Sequence, residues 1–159
     1  MRTCSRGNVL GGIDLFGVVW YTHQVKIELF TFCDFAQENG GKLTIVGTFD
    51  TIISRNFPCL HPQLSVVIRI RFDLWEFGKH AFRIEIRDLN GEINMDPISG
   101  TLDVKGIGNA SAVSHLVFTI GNLHFKNSGM INVTLYIDDK ETSSIPLYIR
   151  KNNDQAFPD

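Results

Sequence analysis

The sequence lacks most of the features that mark secreted, membrane or nucleic-acid-binding proteins. Its three cysteines are odd in number, widely spaced and without a CxxC or CxxH pair, which argues against a disulfide framework and indicates a reducing compartment, the cytoplasm. No apolar run reaches the roughly 18 residues that a membrane span needs. The formal net charge of −2 supplies no general attraction to nucleic acid or to an anionic membrane. We therefore expect neither kind of partner.

The first 24 residues differ in character from the rest of the chain. Basic residues (Arg2 and Arg6) precede an apolar stretch, as in a secretory signal, but glycines and Asp14 interrupt that stretch and no small-residue cleavage site follows. We expect residues 1–24 to be a non-structural N-terminal extension from an upstream translation start. The regular pattern begins abruptly near Val25, which we expect to be the native start.

From there onward, apolar and polar residues alternate, and no stretch has the period of an amphipathic helix. A period of two is typical of β-strands with one face in a core. In SVVIRIRF (65–72) the apolar side chains share one face, whereas Arg69 and Arg71 share the other. Similar runs occur at 25–32, 42–48, 49–53, 82–86, 98–105, 113–120, 131–137 and 145–149.

Turn signals separate these runs at short intervals. ENGGK, LNG, KGIGN, KNSG and DDKE are rich in residues that tolerate positive φ, so they predict chain reversals between antiparallel neighbours. We predict an all-β, single-domain antiparallel β-sandwich of seven or eight strands over residues 25–150, Ig-like or jelly-roll-like, with a barrel as the alternative. Pro146 cannot donate a ladder hydrogen bond, which predicts a sheet edge or a bulge there. Residues 151–159 are expected to be a polar tail.

Four segments carry a resemblance to a known family: KIELFTFCDFAQENGGKLTIVGTFDTI, FPCLHPQLSVVIRIRF, VKGIGNASAVSH and LYIDDKETSSIPLYIR. Over roughly residues 25–150 the chain resembles a family of small bacterial proteins that is classified as a domain of unknown function. The resemblance implies a start near Val25 and a bacterial source, and it brings no activity, cofactor or site residues. It also implies a more polar loop where this chain has LWEF (74–77).

The segment FTFCDFAQENGGKLTIVGTFDTI (30–52) gathers a cysteine, several acids and a Gly-Gly pair. A nucleophilic cysteine needs a base such as histidine, and no histidine lies in this segment. We interpret Cys33 as a small packed side chain and Asp34 as an acceptor for backbone N–H groups. If Asp34 and Asp50 flank one end of the fold together, the three residues would form a small polar site.

A metal site is a second possibility for this region. Cys33, Asp34, Cys59 and His61 are residue types that bind zinc, and they would also serve a small metal- or thiol-dependent enzyme. However, C-x-H is an unusual ligand spacing, and the proline on either side of CLH indicates a rigid connection. We predict neither a metal nor a cofactor.

Arginines mark a third candidate. If the strands at 65–72 and 80–87 form a hairpin about residues 76–78, their outward arginines gather on one surface with Glu85 among them. Such a surface is suited to an anion or, with Tyr136, to a carbohydrate. The alternative is a solvated face on which the arginines pair with Glu85 across the strands. The arginines concerned are Arg69, Arg71, Arg83 and Arg87.

The tip of that predicted hairpin carries two large aromatic residues, Trp75 and Phe77. Exposed aromatics either fold back onto the domain or contact a partner. From the sequence we infer a non-catalytic binding or accessory module for protein–protein interaction. Its partner is expected to be another protein or a second copy, through the aromatic tip or a sheet edge.

Overall fold

The computed structural model of this chain describes residues 25–88, 95–106, 108 and 111–152. The predicted extension (1–24), the predicted turn at 89–91 and residues 153–159 of the predicted tail lie outside the described residues. No helix within the described ranges has the length and apolarity that crossing a bilayer takes.

Nine β-strands and one short 3-10 turn make up the described secondary structure. The strands are β1 (Lys26–Asn39), β2 (Lys42–Phe49), β3 (Thr51–Ser54), β4 (Cys59–Asp73), β5 (Gly78–Asp88), β6 (Ile98–Val104), β7 (Ser111–Phe125), β8 (Gly129–Ile137) and β9 (Lys140–Lys151). The 3-10 turn, η1 (Leu74–Glu76), connects β4 to β5. The all-β prediction is confirmed. The nine described strands outnumber the seven or eight predicted.

The strands form two sheets. The four-stranded sheet has the order β2-β1-β4-β7, and every pair in it is antiparallel. The five-stranded sheet has the order β3-β9-β8-β5-β6. The predicted antiparallel arrangement is wrong at one pair, because β3 runs parallel to β9. After Asp50 the chain leaves the edge of one sheet and continues as the edge of the other, and the Asp50 carbonyl accepts a hydrogen bond of 2.8 Å from the Tyr148 N–H.

Apolar side chains from both sheets share one core, and alternation decides which ones enter it. On β4, Val66, Ile68 and Ile70 are buried, and on β8 so are Val133 and Leu135. Each such side chain stabilises the fold by roughly 1.5–3 kcal/mol relative to exposure. A small apolar cavity of about 20 Å³ remains among these side chains. It has room for about one water molecule and none for a substrate.

Pro146 lies in a stretch of β9 that has a neighbour on one side. It is opposite Asn132 of β8, whereas β3 pairs with β9 from Tyr148 to Lys151. The β8–β9 register also shifts between Leu135 and Tyr136. β9 as a whole is not an edge strand, because it lies between β3 and β8, but the stretch around Pro146 precedes the part of β9 that pairs with β3.

The β1–β2 hairpin has the predicted Gly-Gly turn and a further left-handed glycine. Gly40 and Gly41 have φ values of 58° and 79°, which suit a two-residue hairpin turn. Gly47 has φ 65°, and a Cβ atom there would lie 2.2 Å from a carboxylate oxygen of Asp34. The hairpin thus depends on glycine at position 47 for both its backbone conformation and the space that Asp34 occupies.

We expect Gly47→Ala to lower the free energy of unfolding by about 1–3 kcal/mol, because a side chain at positive φ is strained and this one also displaces Asp34. The matched control is Gly129→Ala, since a Cβ at Gly129 meets no atom within 4 Å and its φ is not positive. Urea denaturation of both variants measures the difference. Equal losses of stability would contradict this account of Gly47.

Candidate functional site

Cys33 is buried on the outward face of β1, not in a reactive pocket. Its side chain is 0% exposed, and Sγ lies 3.8 Å from the Ser65 carbonyl oxygen on β4. Burial, followed by the negative charge of Asp34, raises the pKa of the thiol above its ordinary value. Since the thiolate is the nucleophile, a protonated Cys33 is poorly suited to covalent catalysis.

The two acidic residues of the predicted polar site, Asp34 and Asp50, have different local contacts. Asp34 follows Cys33 on the strand and therefore points to the opposite face, over Gly47. Asp50 lies three residues beyond Gly47, about 10 Å along the chain, and accepts a hydrogen bond of 2.9 Å from Thr51 Oγ1. Cys33 and Asp34 thus point to opposite faces of β1, and Asp50 lies just beyond the end of β2.

Cys59 and His61 lie at the other end of β4, where they pair in register with Phe125 and Leu123 of β7. His61 is four residues from Ser65, the partner of Cys33, which is about 13 Å along the strand. The His61 ring packs edge-on against Phe49, with the centroids 5.9 Å apart. Among residues 25–88, 95–106, 108 and 111–152, no three His, Cys, Asp or Glu side chains are placed to hold a metal ion. The four residues of the metal- or thiol-enzyme alternative therefore do not assemble there.

The predicted arginine surface is wrong, because β4 and β5 belong to different sheets and form no hairpin. Glu28 of β1 instead bridges the two arginines of β4. Its carboxylate oxygens lie 2.7 Å from Arg69 Nε and 2.5 Å from Arg71 Nε. Hydrogen bonds from Arg71 and Arg69 hold the pKa of Glu28 well below its usual range, at about 2. Arg71 also donates to the Ser111 hydroxyl at 2.9 Å.

On the five-stranded sheet, Glu85 bridges two arginines in the same way as Glu28 does on the other sheet. This carboxylate is 5% exposed and lies between Arg83 and Arg87 of its own strand. Arg87 donates from Nε at 2.8 Å, and Arg83 makes a second ion pair through Nη1. The Arg83 guanidinium also lies 4.0 Å from the centre of the Tyr136 ring. Each arginine of the predicted anion site is therefore paired with a carboxylate, within β5 or between β1 and β4.

The two aromatic residues of LWEF have opposite environments on the crossover between the sheets. The Phe77 ring packs against the core and lies over Gly106, where a Cβ would come within 2.0 Å of the ring. Trp75 is 65% exposed, and its neighbour Leu74 is 57% exposed. We define the apolar tip as Leu74 and Trp75. The sequence pattern did not single out Leu74, although it stands beside Trp75.

Hydrogen bonds hold η1, the turn that carries the apolar tip, in place. The Asp73 N–H donates to Glu76 Oε2 at 2.8 Å, which closes the turn on itself. His80 of β5 connects this turn to the loop after β8. Its Nε2 lies 2.6 Å from the Glu76 carbonyl oxygen, and its Nδ1 lies 2.7 Å from Asp138 Oδ2. The Phe72 ring stacks on the imidazole at 5.0 Å.

Both nitrogens of His80 face oxygen acceptors, an arrangement that suits the doubly protonated ring. Burial opposes charging of the ring, but the hydrogen bonds to Asp138 and to the Glu76 carbonyl outweigh it, so the pKa of His80 is raised above its ordinary value. Asp138 has φ 50° and also accepts the Ala81 N–H at 2.9 Å through its other oxygen. No spacing in the sequence predicted this pair, which is 58 residues apart.

The described residues define a two-sheet, all-β domain that presents a short apolar tip on a hydrogen-bonded crossover. The chain belongs to a family of unknown function (DUF6941), whose family model matches residues 28–150. The resemblance inferred from the sequence is therefore confirmed. None of the curated proteins matches the chain.

The solved structures to which the chain is similar include two larger bacterial proteins. One is the alkylpurine DNA glycosylase AlkC of Pseudomonas fluorescens bound to DNA containing an abasic site analog, with 11% identity, a TM-score of 0.48 and coverage of 80% of this chain. The other is the β-glucosidase of Listeria innocua in complex with isofagomine, with 9% identity, a TM-score of 0.44 and coverage of 84%. The chain spans 30% and 17% of their respective lengths. Neither likeness bears on the function of this chain.

The opposite environments of Phe77 and Trp75 predict opposite sensitivities. We expect Phe77→Ser to lower the free energy of unfolding by about 2–4 kcal/mol, because it removes a ring packed on the core and on Gly106. Trp75→Ser should change it by about 1 kcal/mol or less, since most of that side chain is exposed. Chemical denaturation measures both values, and similar losses would contradict the assignment of Phe77 to the core.

The His80 contacts predict a pH dependence of stability. Because folding raises the pKa of His80, its contribution is complete below the ordinary value of about 6.5 and is lost as the pH rises through the folded-state value. The stability advantage of wild type over His80→Gln should therefore shrink as the pH increases through this window. Denaturation at several pH values measures it, with His124→Gln on exposed His124 as the control. A difference that is constant with pH would overturn the prediction.

Proposed function

We propose that this protein is a β-sandwich that acts as a non-catalytic binding or accessory module for protein–protein interaction, with the apolar tip as its contact. The observation that carries the proposal is the exposure of two adjacent large apolar side chains, Leu74 and Trp75, on a turn that the structure otherwise fixes. Tryptophan is enriched among the residues that dominate binding energy at interfaces. The proposed setting is a bacterial cytoplasm.

The fixed turn favours recognition because it lowers the entropy lost on binding. Side chains on a mobile loop must be ordered when a partner arrives, whereas η1 is already held by Glu76, His80 and Asp138. Loops carried by a rigid scaffold are common recognition elements. The tip therefore combines apolar contact area with a preorganised backbone.

Charges near the tip indicate the character of the partner surface. Asp73 and Glu76 flank Leu74 and Trp75 along the chain, and Asp138 lies against His80 just beneath η1. Because His80 already pairs with Asp138, the flanking carboxylates are those of Asp73 and Glu76. An apolar contact flanked by these two carboxylates fits a partner with an apolar cleft and a basic rim, since complementary potentials steer association and suppress wrong partners. We propose such a protein surface as the partner of the tip.

The other function classes have less support. The enzyme alternative needs Cys33, Asp34, Cys59 and His61 to act together, and the structure separates them along β1 and β4. The anion or carbohydrate alternative needs available guanidinium groups, whereas Glu28 and Glu85 already engage the four arginines. Leu74 and Trp75, by contrast, are 57% and 65% exposed.

We expect Leu74→Ser combined with Trp75→Ser to reduce recovery of protein partners from the native host at least about 10-fold, because the pair forms the centre of the contact. Quantitative mass spectrometry of affinity captures with the full chain measures the recovery. Ile53→Ser is the matched control, since Ile53 is an apolar residue of similar exposure (52%) on β3.

The tip double variant should lose partners, whereas Ile53→Ser should recover them as wild type does. Unchanged partner recovery by the tip variant would refute it, as would an equal loss with Ile53→Ser. The free energy of unfolding of both variants is measured in parallel, so that a loss of binding is separated from a loss of folding.

A further inference from the structure

Each sheet ends in two edge strands within the described residues: β2 and β7 in the four-stranded sheet, β3 and β6 in the five-stranded sheet. An edge strand presents a row of backbone N–H and C=O groups that can pair with another chain. Natural proteins protect such edges by shortness, charges, prolines or distortion. The four edges differ in this respect.

Three of the edges carry such protection. β2 begins with Lys42 and is distorted by the left-handed Gly47. β3 has four residues and is followed by Arg55. β6 has seven residues, including Asp103, which pairs with Lys105 at 2.6 Å.

The fourth edge, β7, carries none of these devices over most of its length. It is 15 residues long, and from Ser111 to Gly121 it pairs continuously with β4 on its other side. Its first eleven residues, SAVSHLVFTIG (Ser111–Gly121), include no proline and no Asp, Glu, Lys or Arg. The left-handed Asn122, with φ 54°, follows this stretch. An extended segment of this length spans about 37 Å.

The one titratable side chain in this stretch, His115, is neutral in the observed geometry. Its Nε2 lies 3.0 Å from Nη1 of Arg69. A guanidinium group can only donate, so Nε2 must be the acceptor and carries no proton. Burial, followed by the charge of Arg69, lowers the pKa of His115 and supports this assignment. The β7 edge therefore presents an uncharged strand at neutral pH.

We propose that β7 pairs antiparallel with β7 of a second copy about a two-fold axis, joining two four-stranded sheets into one of eight strands. A second copy fits because the strand is neutral, so no antiparallel register over Ser111–Gly121 places like charges opposite each other. Two-fold dimers are also the commonest oligomers. The inference names a partner within the proposed function but rests on β7 and not on the apolar tip, so the two can fail separately.

Amide hydrogen exchange of the wild-type chain tests whether β7 pairs with β7 of a second copy. Sedimentation and amide hydrogen exchange are measured on the full chain from about 1 µM to about 500 µM. We expect a shift from monomer to dimer, accompanied by at least about 10-fold slower exchange of the β7 amides that point away from β4. The amides on the free side of β2 serve as the internal control and should not change.

A pair of matched variants then localises the contact. Thr119→Lys places a charge on the β7 edge, and Thr44→Lys places the same charge at an exposed threonine on the β2 edge of the same sheet. Because the Thr119 hydroxyl also lies 3.3 Å from Ser65 Oγ, the free energy of unfolding of both variants is measured in parallel, and Thr119→Ser, which keeps the hydroxyl without the charge, is included as a second control. We expect Thr119→Lys to weaken dimerisation at least about 10-fold and Thr44→Lys to leave it unchanged. A chain that stays monomeric throughout, a dimer whose β7 amides exchange as quickly as those of β2, or equal effects of the two lysines would each overturn the proposal.

Discussion

The burial of one face of each sheet in a common core is the constraint on which the rest of the structure depends. β4 ends its buried run at Phe72 in one sheet, and β5 enters the core again at Ile84 in the other. The chain must therefore cross between the sheets after Phe72. The compact turn η1 makes this crossing. Because the turn is short, some of the residues in and beside it pack on the core and others are exposed to solvent. Phe77 faces inward, while Leu74 and Trp75 are left outside.

Ion pairing outside the core follows from the same packing. The arginines of β4 and β5 lie on the outward faces of two different sheets, where each pair is close to a single carboxylate, Glu28 or Glu85. Glu85 is almost fully buried, and a buried carboxylate needs a charged or hydrogen-bonding partner. These arginines are therefore engaged in supporting the sheets.

Sequence reasoning recovered local features well and long-range placements poorly. The turn at Gly40 and Gly41, the strand alternation and the unusual position of Pro146 depend on neighbouring residues, and the structure contains all three. The hairpin between β4 and β5 was a wrong prediction because LWEF resembles a turn, and alternation does not say which sheet a strand will join. The contact of His80 with Asp138 joins residues 58 positions apart, and no motif announces it.

The amino-acid sequence by itself determined the all-β class, the inward face of several strands and the family of the chain. Side-chain alternation follows from the covalent geometry of an extended backbone, so it can be read from a few consecutive residues. Only the tertiary structure decided which strands became neighbours, that Phe77 is packed while Trp75 is exposed, and that β7 is an edge. Those outcomes depend on burying both sheets at once, and that requirement acts between residues far apart in the chain.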